Sequence, residues 1–288
     1  MKRLWMLMLC VMFSGLAFAD GAYAVRKRME ASMVVTGSIV VAPDGSVRSY
    51  ELDKPDQLPP AVVGLMRKAT AEWRFGPVLR DGVAVAAKAK MSTRIVAKRQ
   101  ENGDYVARVA GTTFGEDLPE EQVSIKKDQA RPRYPMEAVR ARVAGTVYLL
   151  LRIDRDGKVA DVSAEQVNLT VADDDNGMRV WRRVLADASI RAAREWTFNT
   201  PTSGPRVKDD YWIARVPVSY QVQAAGTRVP DDYGHWQGYI PGPKEPVPWL
   251  AKYRRPGDDE DNMADALPDD GLYMLGSGPH LITPPDHS

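Results

Sequence analysis

Clean alternation of apolar and polar positions, interrupted by Asp-Gly pairs, is the leading regularity of this chain. Val147, Leu149, Leu151 and Ile153 share one face of an extended segment. Asp156-Gly157 follows with residues that tolerate positive φ, so the chain is expected to reverse into a second strand from Val159 to Val167. A later segment puts Ala214, Val216, Val218, Tyr220 and Val222 on an apolar face, with Arg215, Ser219 and Gln221 on the other. Pro217 lies inside it without an N–H for a ladder bond, which favours a sheet edge for this strand. Between the two regions the apolar period becomes helical, at Trp181, Leu185, Ala188, Ala192 and Trp196.

The same order of patterns occurs earlier. Val35 to Val47, with Asp44-Gly45, lies over Val147 to Val159. Val62, Leu65, Met66, Ala69 and Trp73 recur at helical spacing, and Trp73-Arg74-Phe75 answers Trp196-Thr197-Phe198. The first unit ends differently. Val83 to Lys98 reads as a strand, Glu101 to Asp104 as a turn and Tyr105 to Val109 as a return strand. The fold class is α+β: two tandem domains at 31–114 and 129–223, each a small antiparallel sheet packed by one or two helices, joined by a polar linker at 115–128. Trp73 and Trp196 close their helices at core spacing and are read as buried anchors rather than ligand platforms.

The ends have their own character. Lys2 and Arg3, the apolar run Leu4 to Leu16, and Ala17-Phe18-Ala19 read as a signal peptide at 1–19. The rival is an uncleaved anchor over Leu4 to Val25, which Arg26, Lys27 and Arg28 oppose by charge. Cys10, the one cysteine, falls in the signal, so the exported chain depends on its core and not on disulfides. Residues 225–288 hold 10 of the 21 prolines and the acidic run Asp258 to Asp261, and are expected to be mostly disordered. Trp236, Tyr239, Trp249 and Leu250 are exceptions there. They either dock on the globular part, serve as a short partner motif, or pack loosely on the surface, the last being preferred.

A net charge of +1 over 288 residues does not imply a nucleic-acid partner. His235, His280 and His287 all lie in the tail, so the two domains cannot assemble a Ser-His-Asp triad or a histidine-rich zinc site. There is no glycine-rich phosphate loop. No enzyme, catalytic residue, cofactor or metal is expected. Asp173-Asp174-Asp175-Asn176-Gly177 offers oxygen ligands but lacks the downstream glutamate of a calcium loop, and is read as a solvated loop before a helix.

Arg131-Pro132-Arg133-Tyr134-Pro135-Met136-Glu137-Ala138, then Gly145, the Asp156-Gly157 turn and Trp196-Thr197-Phe198, resemble in that order the C-terminal domain of the TonB family. The likeness covers roughly 129–223. It implies a non-enzymatic periplasmic domain that binds an extended peptide or protein, such as an outer-membrane transporter, by strand addition. It also implies a site at Arg131, Tyr134 and Pro135 and along the last strand at Tyr211, Ile213, Arg215, Pro217, Ser219 and Gln221. Tyr134 has an equal claim to a structural role, stapling the helix that Pro135 starts. Some features depart from the family. Arg131 stands where well-studied members carry glutamine, residues 1–25 have no histidine for the proton-driven motor, and no proline-rich spacer precedes the domain. Energy transduction from an inner-membrane anchor, and an envelope scaffold or homodimer, therefore stand as alternatives. Membrane association is expected only if the N-terminal segment stays uncleaved.

Overall fold

The computed structural model describes residues 25, 29–80, 82–100, 104–116, 118–126, 129–222, 232–255, 264–268, 271–276 and 278–283. The fold is α+β, with mostly antiparallel sheets and few helices. In the first half, β1 (Glu30–Val41) and β2 (Val47–Leu52) form a hairpin, and α1 (Pro60–Glu72) follows. A small ribbon of β3 (Leu79–Arg80) and β4 (Val83–Ala84) leads to β5 (Ala87–Arg99) and β6 (Tyr105–Glu116). The strand expected from Val83 to Lys98 is thus two pieces, and the return strand runs on to Glu116. The order across the sheet is β2-β1-β5-β6. Pro60 opens α1 where its missing N–H costs nothing.

In the second half, β7 (Ser124–Ile125) and the short α2 (Met136–Arg140) precede the hairpin of β8 (Gly145–Asp154) and β9 (Val159–Leu169). Then come α3 (Asp175–Ala193), β10 (Phe198–Asn199) and β11 (Tyr211–Tyr220), giving the order β9-β8-β11. Asp174 caps α3 by accepting from the Gly177 N–H at 2.7 Å, and Asp173 accepts from the Trp181 indole at 3.0 Å. The aspartate run is therefore engaged in starting a helix.

The two Asp-Gly turns have matching bonds. Gly45 donates to Ala42 O and Gly157 to Asp154 O, both at 2.9 Å. Phe75 then donates to Gly45 O at 2.8 Å, and Phe198 to Gly157 O at 2.7 Å. Both glycines have positive φ, 81° and 77°, and a Cβ on either would lie 2.1 Å from a phenylalanine carbonyl. Only glycine fits there. Each Trp-x-Phe segment thus closes over its own hairpin turn. Trp73, Phe75, Met66 and Ile39 are buried together in the first core, and Trp196, Phe198, Leu185 and Leu149 in the second.

Two expectations need correction. The segment 118–126, expected to be linker, is built in: β7 pairs with β10, Val123 is buried in the second core, and Glu121 bonds Arg80 at 3.2 Å. The tail, expected to be mostly disordered, is packed in its described parts. There β12 (Gln237–Tyr239) pairs with β1, α4 (Leu250–Tyr253) lies against β11, and β13 (Tyr273–Met274) pairs with β11. A 3₁₀ turn at Ala264–Ala266 is wedged between the two sheets, and Phe75 bridges to Leu281. The physical reason is local. The average polarity of the tail conceals Tyr239, Ile240, Leu267, Met274 and Leu275, all of which are buried. Trp249 and Leu250 dock on the second sheet, whereas Trp236 remains 39% exposed.

Candidate functional site

Strand β11 carries most of the residues that the sequence pointed to. One edge pairs with β8 along its whole length, from Tyr211 opposite Asp154 to Tyr220 opposite Gly145, without a register shift. In such a strand the N–H and C=O of one residue face the same side, and successive residues alternate. The Ile213 carbonyl accepts from the Leu275 N–H at 2.8 Å on the outer side. Tyr211, Arg215, Pro217 and Ser219 therefore turn their backbone groups outward as well, and Gln221 lies just beyond the end of the strand. Pro217 is tolerated because its missing donor faces away from β8.

This outer edge is partly taken by the chain itself. The Tyr211 carbonyl accepts from Arg255 at 3.0 Å, and β13 sets Tyr273 opposite Arg215 and Met274 opposite Ala214. Beyond Arg215 no described strand pairs with β11 on that side. The side chains divide likewise. Tyr211 is partly buried and bonds the Tyr253 carbonyl at 2.9 Å, and Ile213 is buried beside Leu150 and Leu275. Arg215 was placed outward from the pattern; it is indeed off the core face, yet only 5% exposed, because Glu165 holds it in a paired ion contact at 2.8 and 3.0 Å. Pro217 is also buried, while Ser219 and Gln221 are exposed.

The Tyr-Pro corner abuts the end of this strand. Pro135 is the N-cap of α2, and the Tyr134 hydroxyl donates to the Val143 carbonyl. The Tyr134 ring meets Tyr220 of β11 edge-on at 5.1 Å, and the Tyr220 hydroxyl lies 2.8 Å from Ser189 of α3. Tyr134 thus ties corner, strand and helix together, and Arg131 beside it is exposed.

Burial, with Tyr220 adding, pushes the Tyr134 hydroxyl up to about 12. Burial raises Tyr220 and Tyr233 too. Unfolded tyrosine ionises near about 10. Above that pH the unfolded chain gives up protons that the folded chain keeps. This contribution to stability is whole below about pH 10 and is lost as pH climbs toward about 12. Urea melts across that range should show the fall, and Tyr134→Phe should shrink it. An identical pH slope in the variant would contradict the assignment.

A cleft of about 580 Å³ opens between the halves at this end of β11. Ser219, Gln221 and Val222 line it on one side, and Met33 and Val34 of β1 on the other. Arg94, Tyr148, Asn168 and Tyr239 in its lining belong to a network that the sequence did not reveal. Arg94 donates to Ser32 at 2.8 Å, to Tyr148 at 3.1 Å and to the Asp265 carbonyl. Tyr239 lies against the guanidinium, 5.0 Å from ring centroid to Cζ, and donates to the Asp265 carboxylate. That carboxylate also accepts from Asn168 at 3.0 Å and Gln166 at 3.2 Å. Burial, with the Asp265 charge next, drives the Tyr239 hydroxyl well above its ordinary range. The network joins both sheets and the tail. Buried charges of this kind carry no sequence periodicity, so the pattern did not single out Arg94 or Asp265. The strand Tyr273–Met274 did leave a signal, as an apolar Leu272-Tyr273-Met274-Leu275 run between Gly271 and Gly276.

The class that emerges is an α+β unit whose last strand offers an edge beside a Tyr-Pro corner. Residues 130–166 match the family described as Gram-negative bacterial TonB protein C-terminal. Over 95 residues the chain is 34% identical to "Protein TonB" from two strains of Xanthomonas campestris pv. campestris, covering 33% of this chain and 36% of theirs. The likeness to the TonB C-terminal family thus lies in the second half of the chain, around the Tyr-Pro corner and the β8–β9 hairpin. The chain spans about a third of the length of these curated relatives. No solved structure matches it. Among the described residues no helix is long and apolar enough to cross a membrane; the expected signal at 1–19 lies outside them, as does the alternative anchor Leu4 to Val25 apart from Val25 itself.

Proposed function

We propose that this is a periplasmic binding protein that takes an extended segment of a protein partner onto the outer edge of β11 by strand addition. The observation that carries the reading is the edge itself. It receives a strand from the tail at Ala214–Arg215, then continues to Tyr220 with no described strand beside it. Main-chain bonds would supply affinity there, and alternate side chains selectivity. Ser219 and Gln221 would meet the guest at the cleft, with Arg131, Tyr134 and Pro135 around the adjoining corner. The family supports an outer-membrane transporter as the partner. The matched turn bonds around Gly45 and Gly157 support reading the halves as two tandem copies of one domain, 31–114 and 129–223, the first divergent. Export by the 1–19 signal would place the chain in the periplasm.

Ser219→Pro tests this. The substitution removes an N–H that faces outward, so the β8 ladder should survive. Binding to the partner captured by the wild-type chain from envelope extract should fall by roughly tenfold or more, with the far-UV circular dichroism unchanged. A folded variant that binds that partner at wild-type affinity would refute the site.

A further inference from the structure

We infer that Leu272–Leu275 of the tail is a guest strand held in cis, and that its side chains specify the partner as an extended segment with an aromatic residue followed by two unbranched or γ-branched apolar ones. This rests on the reading of the β11 edge as a strand acceptor, and adds the chemistry of what it accepts.

The strap makes the contacts of a guest. It runs antiparallel to β11, with Tyr273 opposite Arg215 and Met274 opposite Ala214, and Leu275 donates to Ile213 O at 2.8 Å. Three of its four side chains go to three places, and Leu272 packs partly buried against the same core as Met274. Met274 enters the helix-covered core, where its sulfur accepts from the Val123 N–H at 3.1 Å. Tyr273 packs on the opposite face against the cluster of Tyr148, Ala264 and Leu267. Leu275 fills a site between Leu150 and Ile213. An alternating set of pockets along a sheet edge is how strand-adding domains select side chains.

The strap is also built to leave. Only two residues form ladder pairs, against the full length of β11 on the β8 side. Gly271 and Gly276 bracket it with φ of 106° and 65°, backbone that is open to glycine and strained for most other residues. A longer guest in the same register would reach further. Residues upstream of its aromatic position would fall opposite Val216 to Tyr220, where the tail offers no described strand. Such a guest can pair first with Ser219 and then displace the strap toward Ile213.

The test uses the full chain and a labelled peptide, Gly-Leu-Tyr-Met-Leu-Gly, copying residues 271–276. Met274→Asp should expel the strap from the core, and Leu275→Pro should remove its bond to Ile213. By fluorescence anisotropy both variants should bind the peptide about tenfold or more tighter than the wild-type chain, since a closed strap lowers apparent affinity by the open fraction. A peptide with aspartate in place of methionine should bind neither. Equal binding by wild type and variants, no binding by either variant, or indifference to the aspartate would overturn the inference. Amide exchange on the wild-type chain gives a readout that needs no variant. The Arg215 N–H, facing the strap, should exchange about tenfold or more faster than those of Ala214 and Val216, which face β8. Equal protection would overturn it as well. If the variants bind the strap peptide yet the Ser219→Pro experiment shows no partner at the edge, the cis guest stands and the proposed function falls. If partner binding depends on Ser219 but not on the strap variants, the function stands and this inference falls.

Discussion

Deleting residues 232–288 should lower the stability of the chain by about 5 kcal/mol or more. The tail buries Tyr239, Ile240, Leu267, Met274 and Leu275. At about 1.5–3 kcal/mol for each fully buried large side chain, the gross contribution is on the order of 10 kcal/mol. Ordering the tail costs conformational entropy and offsets part of this. The remainder is large beside a net stability of about 5–15 kcal/mol for an ordinary domain. Deletion would also uncover Val96, Tyr148, Leu150 and Ile213, and would take from Arg94 the Asp265 carbonyl and the Tyr239 ring. Urea melts of full-length and truncated chains measure the difference. A loss below about 1 kcal/mol would mean that the tail only decorates the surface.

Trp73→Ala should cost about 3–5 kcal/mol, the scale for removing a large buried aromatic. Trp73 is 0% exposed and meets the rings of Phe114 at 5.5 Å and Phe75 at 6.5 Å, both edge-on. Its indole N–H has no hydrogen-bond partner among the described residues, where packing holds it. Trp196→Ala should fall in the same range of about 3–5 kcal/mol, with the added loss of its bond to the Ala130 carbonyl at 2.9 Å. A change below about 1 kcal/mol in urea would show that these residues are not core anchors.

The sequence made legible what is local. The alternation of Val147 to Ile153, the Asp-Gly turns and the helical spacing that ends at each tryptophan all concern residues within a turn or a strand of one another, and the observed hairpins and helices follow them. Pro217 falls in the stretch of β11 that has no described strand on its outer side, although β13 pairs with the strand at Ala214–Arg215. What stayed hidden joins distant residues. Glu30 pairs with Tyr239, Ala214 with Met274, and Arg94 with Asp265, and no period links such positions. The tail misled because composition averages over a segment. Few buried side chains among many prolines and aspartates suffice to dock it, since each sits on a preformed sheet. Arg215 misled because alternation assigns a face and not an exposure. Its face was right, and Glu165 takes up its guanidinium there.

Under the proposed function, the outer edge of β11 is the place where a partner adds its strand. Residue-resolved amide exchange on the full chain, with and without the partner captured from envelope extract, addresses this most directly. The Ser219 amide should gain protection on binding, the Arg215 amide should stay protected or gain, and the Leu275 amide of the strap should lose protection as the guest replaces it. The outer edge of β6 should not change. A partner that binds while Ser219 and Leu275 exchange as before would contradict the account.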